Sequence, residues 1–201
     1  KARLIAGSGA FASAFEALVG HFVYGLPATP ETLEEIADLK RRIDGQVERR
    51  GAAGRDVKRG RGGIREIEFV VGALQLVHGA GRKELRVRPT MAALEEIERQ
   101  GLLPPGDCRT LREAYVFLRD VEHRLQMLEF KQTHELPSDP REMRLLGRRC
   151  GLEDTEQADA GQLFRRRFNL HAEAVRRIYS AFFGSDKREG AQKEGLEALL
   201  D

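Results

Sequence analysis

Residues 56–75 read DVKRGRGGIREIEFVVGALQ. The stretch opens as a basic, glycine-rich loop, Lys58-Arg59-Gly60-Arg61-Gly62-Gly63. It alternates apolar and charged residues from Ile64 to Phe69, then closes on an apolar run to Val77 broken only by Gly72 and Gln75. Two periods compete here. Alternation at 64–69 is the pattern of a strand, whereas the run that follows, ended by Gly79 and Gly81, reads as a buried helix.

The chemistry of the stretch depends on which period wins. Consecutive glycines let backbone N–H groups converge on an anion, and Lys58, Arg61 and Arg65 add positive charge beside Gly62 and Gly63, which suits a phosphate. R-G-R-G-G describes an ordinary flexible turn with solvated charges equally well. If 64–69 is extended, Glu66 and Glu68 share one face and offer two carboxylates to Mg²⁺ beside the loop. If the segment is helical, the two diverge by about 200° and at most one serves. The competing reading, that both carboxylates pair with nearby arginines, has equal weight on spacing alone.

Outward from this centre the chain reads as helices. Ser8 is placed to cap a helix carrying Phe11, Phe15, Leu18, Val19 and Phe22. Thr29, with Pro30 at the first helical position, opens a second with a stripe of Leu33, Ile36, Leu39, Ile43 and Val47 and a charged outer face, ended by Gly51 and Gly54. A third begins at Thr90 with Met91, Leu94 and Ile97 inward. Asp107 caps the longest, running to about Lys131 with Leu111, Ala114, Tyr115, Leu118, Val121, Leu125 and Leu128 inward. After a proline-broken loop at Thr133–Pro140 come a short helix over Glu142–Arg149 and a final one over Glu156–Phe183. Glu122-His123-Arg124 is not a preassembled triad, because consecutive helical residues do not share a face. Lys131-Gln132-Thr133-His134 reads as a cap and turn.

Composition narrows the function. With 201 residues the chain is long enough to bury a core without staples, and 41% hydrophobic against 33% charged residues marks a helix-rich globular protein. The 34 basic and 32 acidic residues nearly balance, which argues against nucleic acid as a partner. No run has the apolar length of a membrane span, and Cys108 and Cys150 lack metal-ligand spacing; reduced thiols in a cytoplasmic protein are the reading. The opening KARLIAGSGAFASAF, without an initiating Met, has the look of sequence from within a longer protein.

Four strings in order, KARLIAG at the start, KRGRGGIREIEF (58–69), FLRDVEHRLQ (117–126) and QTHELPSD (132–139), resemble the glutamine synthetase adenylyltransferase family, the bifunctional enzymes that attach AMP to glutamine synthetase and remove it. The resemblance covers Lys1 to about Phe183. IREIEF and EHRLQ…QTHELPSD are similar to the N-terminal, adenylyl-removing half, which implies phosphorolysis of AMP–tyrosine to ADP. The related PII uridylyltransferase carries a GGLRD-type string whose Asp matches Glu66, so the resemblance makes Glu66 the first choice for a third metal-site carboxylate and Glu68 the second. The EIEF ending speaks against the uridylyltransferase itself.

What the resemblance implies is a mainly α chain: a helical bundle with a short extended segment left from a nucleotidyltransferase-type α/β domain. Residues 1–65 would be that remnant, 66–184 the bundle and 185–201 a flexible tail. Catalytic and metal roles fall to Glu66 and Glu68, and phosphate or nucleotide contacts to Lys58, Arg61, Gly62, Gly63 and Arg65. Mg²⁺, ATP or ADP and phosphate serve the parent enzyme, with glutamine synthetase and the PII signalling protein as partners and glutamine as effector. The family's Gly-Ser and D-x-D metal motif has no counterpart here, so the piece alone is expected to be inactive. The alternatives are a regulatory helical module that senses PII or glutamine, or a domain of the related PII uridylyltransferase.

Overall fold

The computed structural model describes residues 4–26, 54–129 and 134–183, together with positions 2, 29, 31, 32, 34–36, 38, 39, 42 and 45. The helices are α1 (Gly9–Tyr24), α2 (Ile64–His78), α3 (Thr90–Arg99), α4 (Pro105–Glu129), α5 (Pro140–Arg149) and α6 (Ala160–Phe183), with a 3₁₀ turn at Lys83–Leu85. The described positions between 31 and 45 are helical, but most of the helix expected over Glu31–Arg50 lies outside the described residues, as does the tail. The chain is mainly α. Among the described residues the only extended pairing is an isolated antiparallel bridge, Asp56 with Glu135.

The competition at 64–69 is won by the helix. α2 starts at Ile64 and buries Ile64, Ile67, Val70, Val71 and Leu74, a 3.6-residue stripe that runs through the alternating segment without a break. Alternation over six residues is too short to outweigh a stripe of fifteen. A domain boundary at 65/66 would cut this helix after its second residue, inside its first turn.

α6 lies against α2, α4 and most extensively α5, while α3 spans α2 and α4. The core they enclose includes Leu94, Ile97, Leu111, Leu118, Val121, Leu146, Phe164 and Ile178. The expected cap of α1 is present, the Ser8 hydroxyl accepting the Phe11 amide at 3.3 Å, and Asp139 caps α5 through the Arg141 and Glu142 amides at 2.9 and 3.0 Å.

Three later starts differ from expectation; α5 begins at Pro140, two residues before Glu142, where Asp139 caps it. α4 begins at Pro105, not after Asp107, because a proline lacking N–H suits the first helical turn, and the Pro104 carbonyl accepts the Asp107 and Cys108 amides. α6 begins at Ala160, four residues late. Asp159 Oδ1 accepts the Gln162 amide at 2.9 Å and Gln162 Oε1 accepts the Asp159 amide at 3.1 Å, a reciprocal capping box that fixes the start there. Burial also departs from the helical pattern in α1, which buries none of its residues and leaves Phe11, Leu18 and Phe22 exposed.

Candidate functional site

The basic loop is a folded turn in which the amides of Lys58, Arg59, Gly60, Gly62 and Gly63 are already used. Asp56 Oδ1 accepts the Lys58 and Arg59 amides at 2.9 and 2.7 Å. The Asp56 carbonyl accepts from Gly60, the Gly60 carbonyl from Gly63, and the Val57 and Lys58 carbonyls from Ile64 and Arg65, which carries the turn directly into α2. The Gly62 amide donates to Glu66 Oε2 at 2.9 Å. The anion cradled by the Gly62 amide is thus the protein's own carboxylate, and the expected convergence of Gly62 and Gly63 amides on a phosphate is not present: the Gly63 amide is spent on Gly60.

Gly62 owes its identity to packing. Its φ is +71°, and a Cβ there would sit 1.9 Å from the Ala172 carbonyl oxygen of α6. The loop therefore presses backbone to backbone on the last helix.

Glu66 is 1 % exposed. Besides the Gly62 amide it takes the guanidinium of Arg176 from α6, with Nη1 2.8 Å from Oε1. Glu68, two residues on, is half-buried and turned away by the helical twist of about 200°. The shared face that a metal would need is absent, and among the described residues no group of three or more His, Cys, Asp or Glu is placed to hold an ion. These residues do not fit Mg²⁺.

The cations fare differently. Lys58 is partly exposed and pairs with Glu122 of α4, Nζ to Oε1 3.2 Å. Arg59 and Arg61 are exposed and Arg65 half-buried. Around them the structure gathers Arg119, whose Nη1 is 2.6 Å from Glu122 Oε2, and His134, whose Nδ1 is 3.3 Å from Glu122 Oε1. What the loop presents outward is side-chain charge, held by two buried carboxylates, Glu66 and Glu122.

Sequence reasoning missed Arg176, Arg119 and the pairing of Glu122 with His134. One signal was available: Glu122 lies four residues after Leu118 and three before Leu125, on the inward stripe of α4. His123, its neighbour, is exposed. The cysteines are free, with both thiols pushed up mainly by burial, so neither is a poised nucleophile.

Residues 37–183 match the family described as GlnD PII-uridylyltransferase. The chain belongs to that family. Curated relatives of this family member are called bifunctional glutamine synthetase adenylyltransferase/adenylyl-removing enzyme. One from Stenotrophomonas maltophilia (strain K279a) is 45% identical over 139 residues, 69% of this chain and 15% of its own length. Another, from Bradyrhizobium diazoefficiens, is 39% identical over 196 residues, 96% of this chain and 19% of its own. A third, from Streptomyces avermitilis, is 33% identical over 183 residues, 91% and 18% respectively. The chain spans about a fifth or less of the curated relatives it matches. Among the described residues, no helix is long and apolar enough to cross a membrane.

Proposed function

We propose that this chain is the helical region beside the nucleotidyl-transfer centre of a glutamine synthetase adenylyltransferase, in its adenylyl-removing half. The observation that carries the reading is the 39% identity to a relative named for both activities, running through 96% of the chain. In this reading phosphate attacks the phosphorus of an AMP–tyrosine linkage, the phosphorus–tyrosine oxygen bond breaks, and ADP leaves. The Lys58, Arg61 and Arg65 side chains stabilise phosphate charge in the transition state, acting by position and field. Glu66 works through the loop, holding Gly62 against α6. Magnesium, which Glu66 and Glu68 are not arranged to hold, and the nucleotide belong to parts of a longer protein that carry a D-x-D pair.

The test is made in the full-length parent. Lys58→Met is expected to raise the KM for phosphate in deadenylylation about tenfold, a loss of roughly 1.4 kcal/mol of binding, and to leave adenylylation within about twofold. Unchanged phosphate dependence in Lys58→Met and Arg61→Met alike would sink the loop assignment.

A second reading, a regulatory module responding to PII or glutamine, draws support from the exposed apolar residues of α1. It requires that Phe11→Ser and Phe22→Ser leave basal rates intact and abolish the response to either effector.

A further inference from the structure

Glu122 is 4 % exposed, on a stripe of α4 otherwise filled by Leu118, Val121 and Leu125. Burying a carboxylate is costly unless it is paired and hydrogen-bonded, and an apolar side chain here would simply extend the stripe. Yet Glu122 Oε1 and His134 Nδ1 are both buried and make no hydrogen bond among the described residues. They lie 3.3 Å apart. The separation is that of an ion pair, although the two atoms are not hydrogen-bonded. Distance is the firmer guide, because the imidazole χ2 is a soft torsion and a small rotation aims an Nδ1–H at Oε1.

The backbone brings these groups together. The Val57 amide donates to the His134 carbonyl at 2.8 Å and the Leu136 amide to the Arg55 carbonyl at 2.9 Å. Lys58 and His134 therefore leave the same short bridge and meet over Glu122. The cluster opens to solvent on its cationic side: the side chains of Lys58, Arg119 and His134 are 31%, 48% and 16% exposed against 6% for Glu122. A carboxylate at Nδ1 fixes that nitrogen as the protonated one and makes Nε2 the working nitrogen, an acceptor when the ring is neutral and a donor when it is charged.

We propose that Glu122 and His134 form a carboxylate–imidazole dyad whose Nε2 contacts a phosphate-bearing substrate drawn in by Lys58 and Arg119. This rests on the reading of the basic loop as a phosphate-side surface. When a nucleotidyl group passes from a phenolic oxygen to phosphate, one P–O bond breaks as another forms. The electron pair left on the phenolic oxygen takes the proton of Nε2–H from the imidazolium. The ring regains a proton from solvent, and the proton that hydrogenphosphate sheds goes to solvent.

The test is ¹⁵N NMR of the histidine rings in the 201-residue chain, with inorganic phosphate as probe and His134→Gln assigning the signal. Neutral His134 is expected as the Nδ1–H tautomer, reverting to Nε2–H in Glu122→Leu and retained in Glu122→Gln, with its Nε2 shifting on phosphate addition. An Nε2–H tautomer in the unsubstituted chain overturns the dyad, whether or not Glu122→Leu folds. Phosphate that moves the Lys58–Gly63 amides and not the His134 ring overturns the proposal and leaves the loop reading standing. Phosphate that moves neither overturns both.

Discussion

Glu66 and Arg176, 110 residues apart, join α2 to α6 through a contact of 2.8 Å between Oε1 and Nη1, and the carboxylate in that pair is almost wholly buried. Charge inside a core stabilises little by its presence and destabilises strongly when one partner is taken away. Arg176→Met is therefore expected to cost about 3 kcal/mol, because it removes the guanidinium from a carboxylate that stays buried. Glu66→Gln keeps an acceptor for the Gly62 amide and should cost about 1–2 kcal/mol. Urea denaturation of the two single variants and the double variant checks both. An Arg176→Met loss under about 1 kcal/mol would show that the pair carries no stability.

The glycine loop separates strain from collision. Gly62→Ala meets both: a left-handed φ of +71° and a Cβ 1.9 Å from the Ala172 carbonyl. Gly101 has nearly the same φ, +67°, and open space around it. Gly101→Ala should cost about 1–2 kcal/mol, the conformational penalty alone. Gly62→Ala should exceed it by several-fold, because either the loop or α6 must move. Equal melting temperatures for the two variants would refute the close approach of loop and helix.

Much of this architecture was legible in the sequence, and the reasons it stopped being legible are physical. Periodicity places α1 and α3, since their apolar spacing is local, and finds α5 with its start two residues late. Apolar spacing alone starts α6 too early, at Glu156; the Asp159–Gln162 capping box, a D-x-x-Q pattern as local as any cap, sets the true start. The extended reading of 64–69 failed for another reason: Glu66 fills a core-facing slot of α2, where its charge is met by Arg176 from the far end of the chain. No spacing within twenty residues encodes that partner. Lys58, Glu122 and His134 likewise come from three separate segments. Cationic loop and carboxylates could be read from composition; which carboxylate held which cation could not.

Burial sorts the apolar residues of two helices that look alike in sequence. Leu118 on α4 is fully buried, whereas Phe22 on α1 is 87% exposed. Leu118→Ala should cost about 2–5 kcal/mol through lost contacts and a cavity. Phe22→Ser should change stability by no more than about 0.5 kcal/mol. Chemical denaturation of the 201-residue chain decides it, and a large loss in Phe22→Ser would mean that α1 packs more tightly than its exposure shows.

Acid should loosen the junction of α5 and α6 before it touches the core. Asp154 is bound by Arg144, accepts the Ala160 amide at 2.9 Å and also meets Arg148. The Arg144 hydrogen bond, then the Ala160 amide and Arg148, hold its carboxyl well below the usual carboxylate range. A depressed folded value means that the unfolded chain binds the proton first. The contribution of Asp154 is thus fully present above the unfolded value of roughly 3.9 and drains away as pH falls through it toward the folded value. Because the carboxylate is solvent-facing, the effect should also weaken with salt. Asp154→Asn is expected to be less stable than the parent at pH 7, with the difference closing as pH drops below about 4. Melting curves of both proteins between pH 7 and pH 2 measure this directly; a gap that stays constant across that range would show that the lost side chain acted through shape and not through charge.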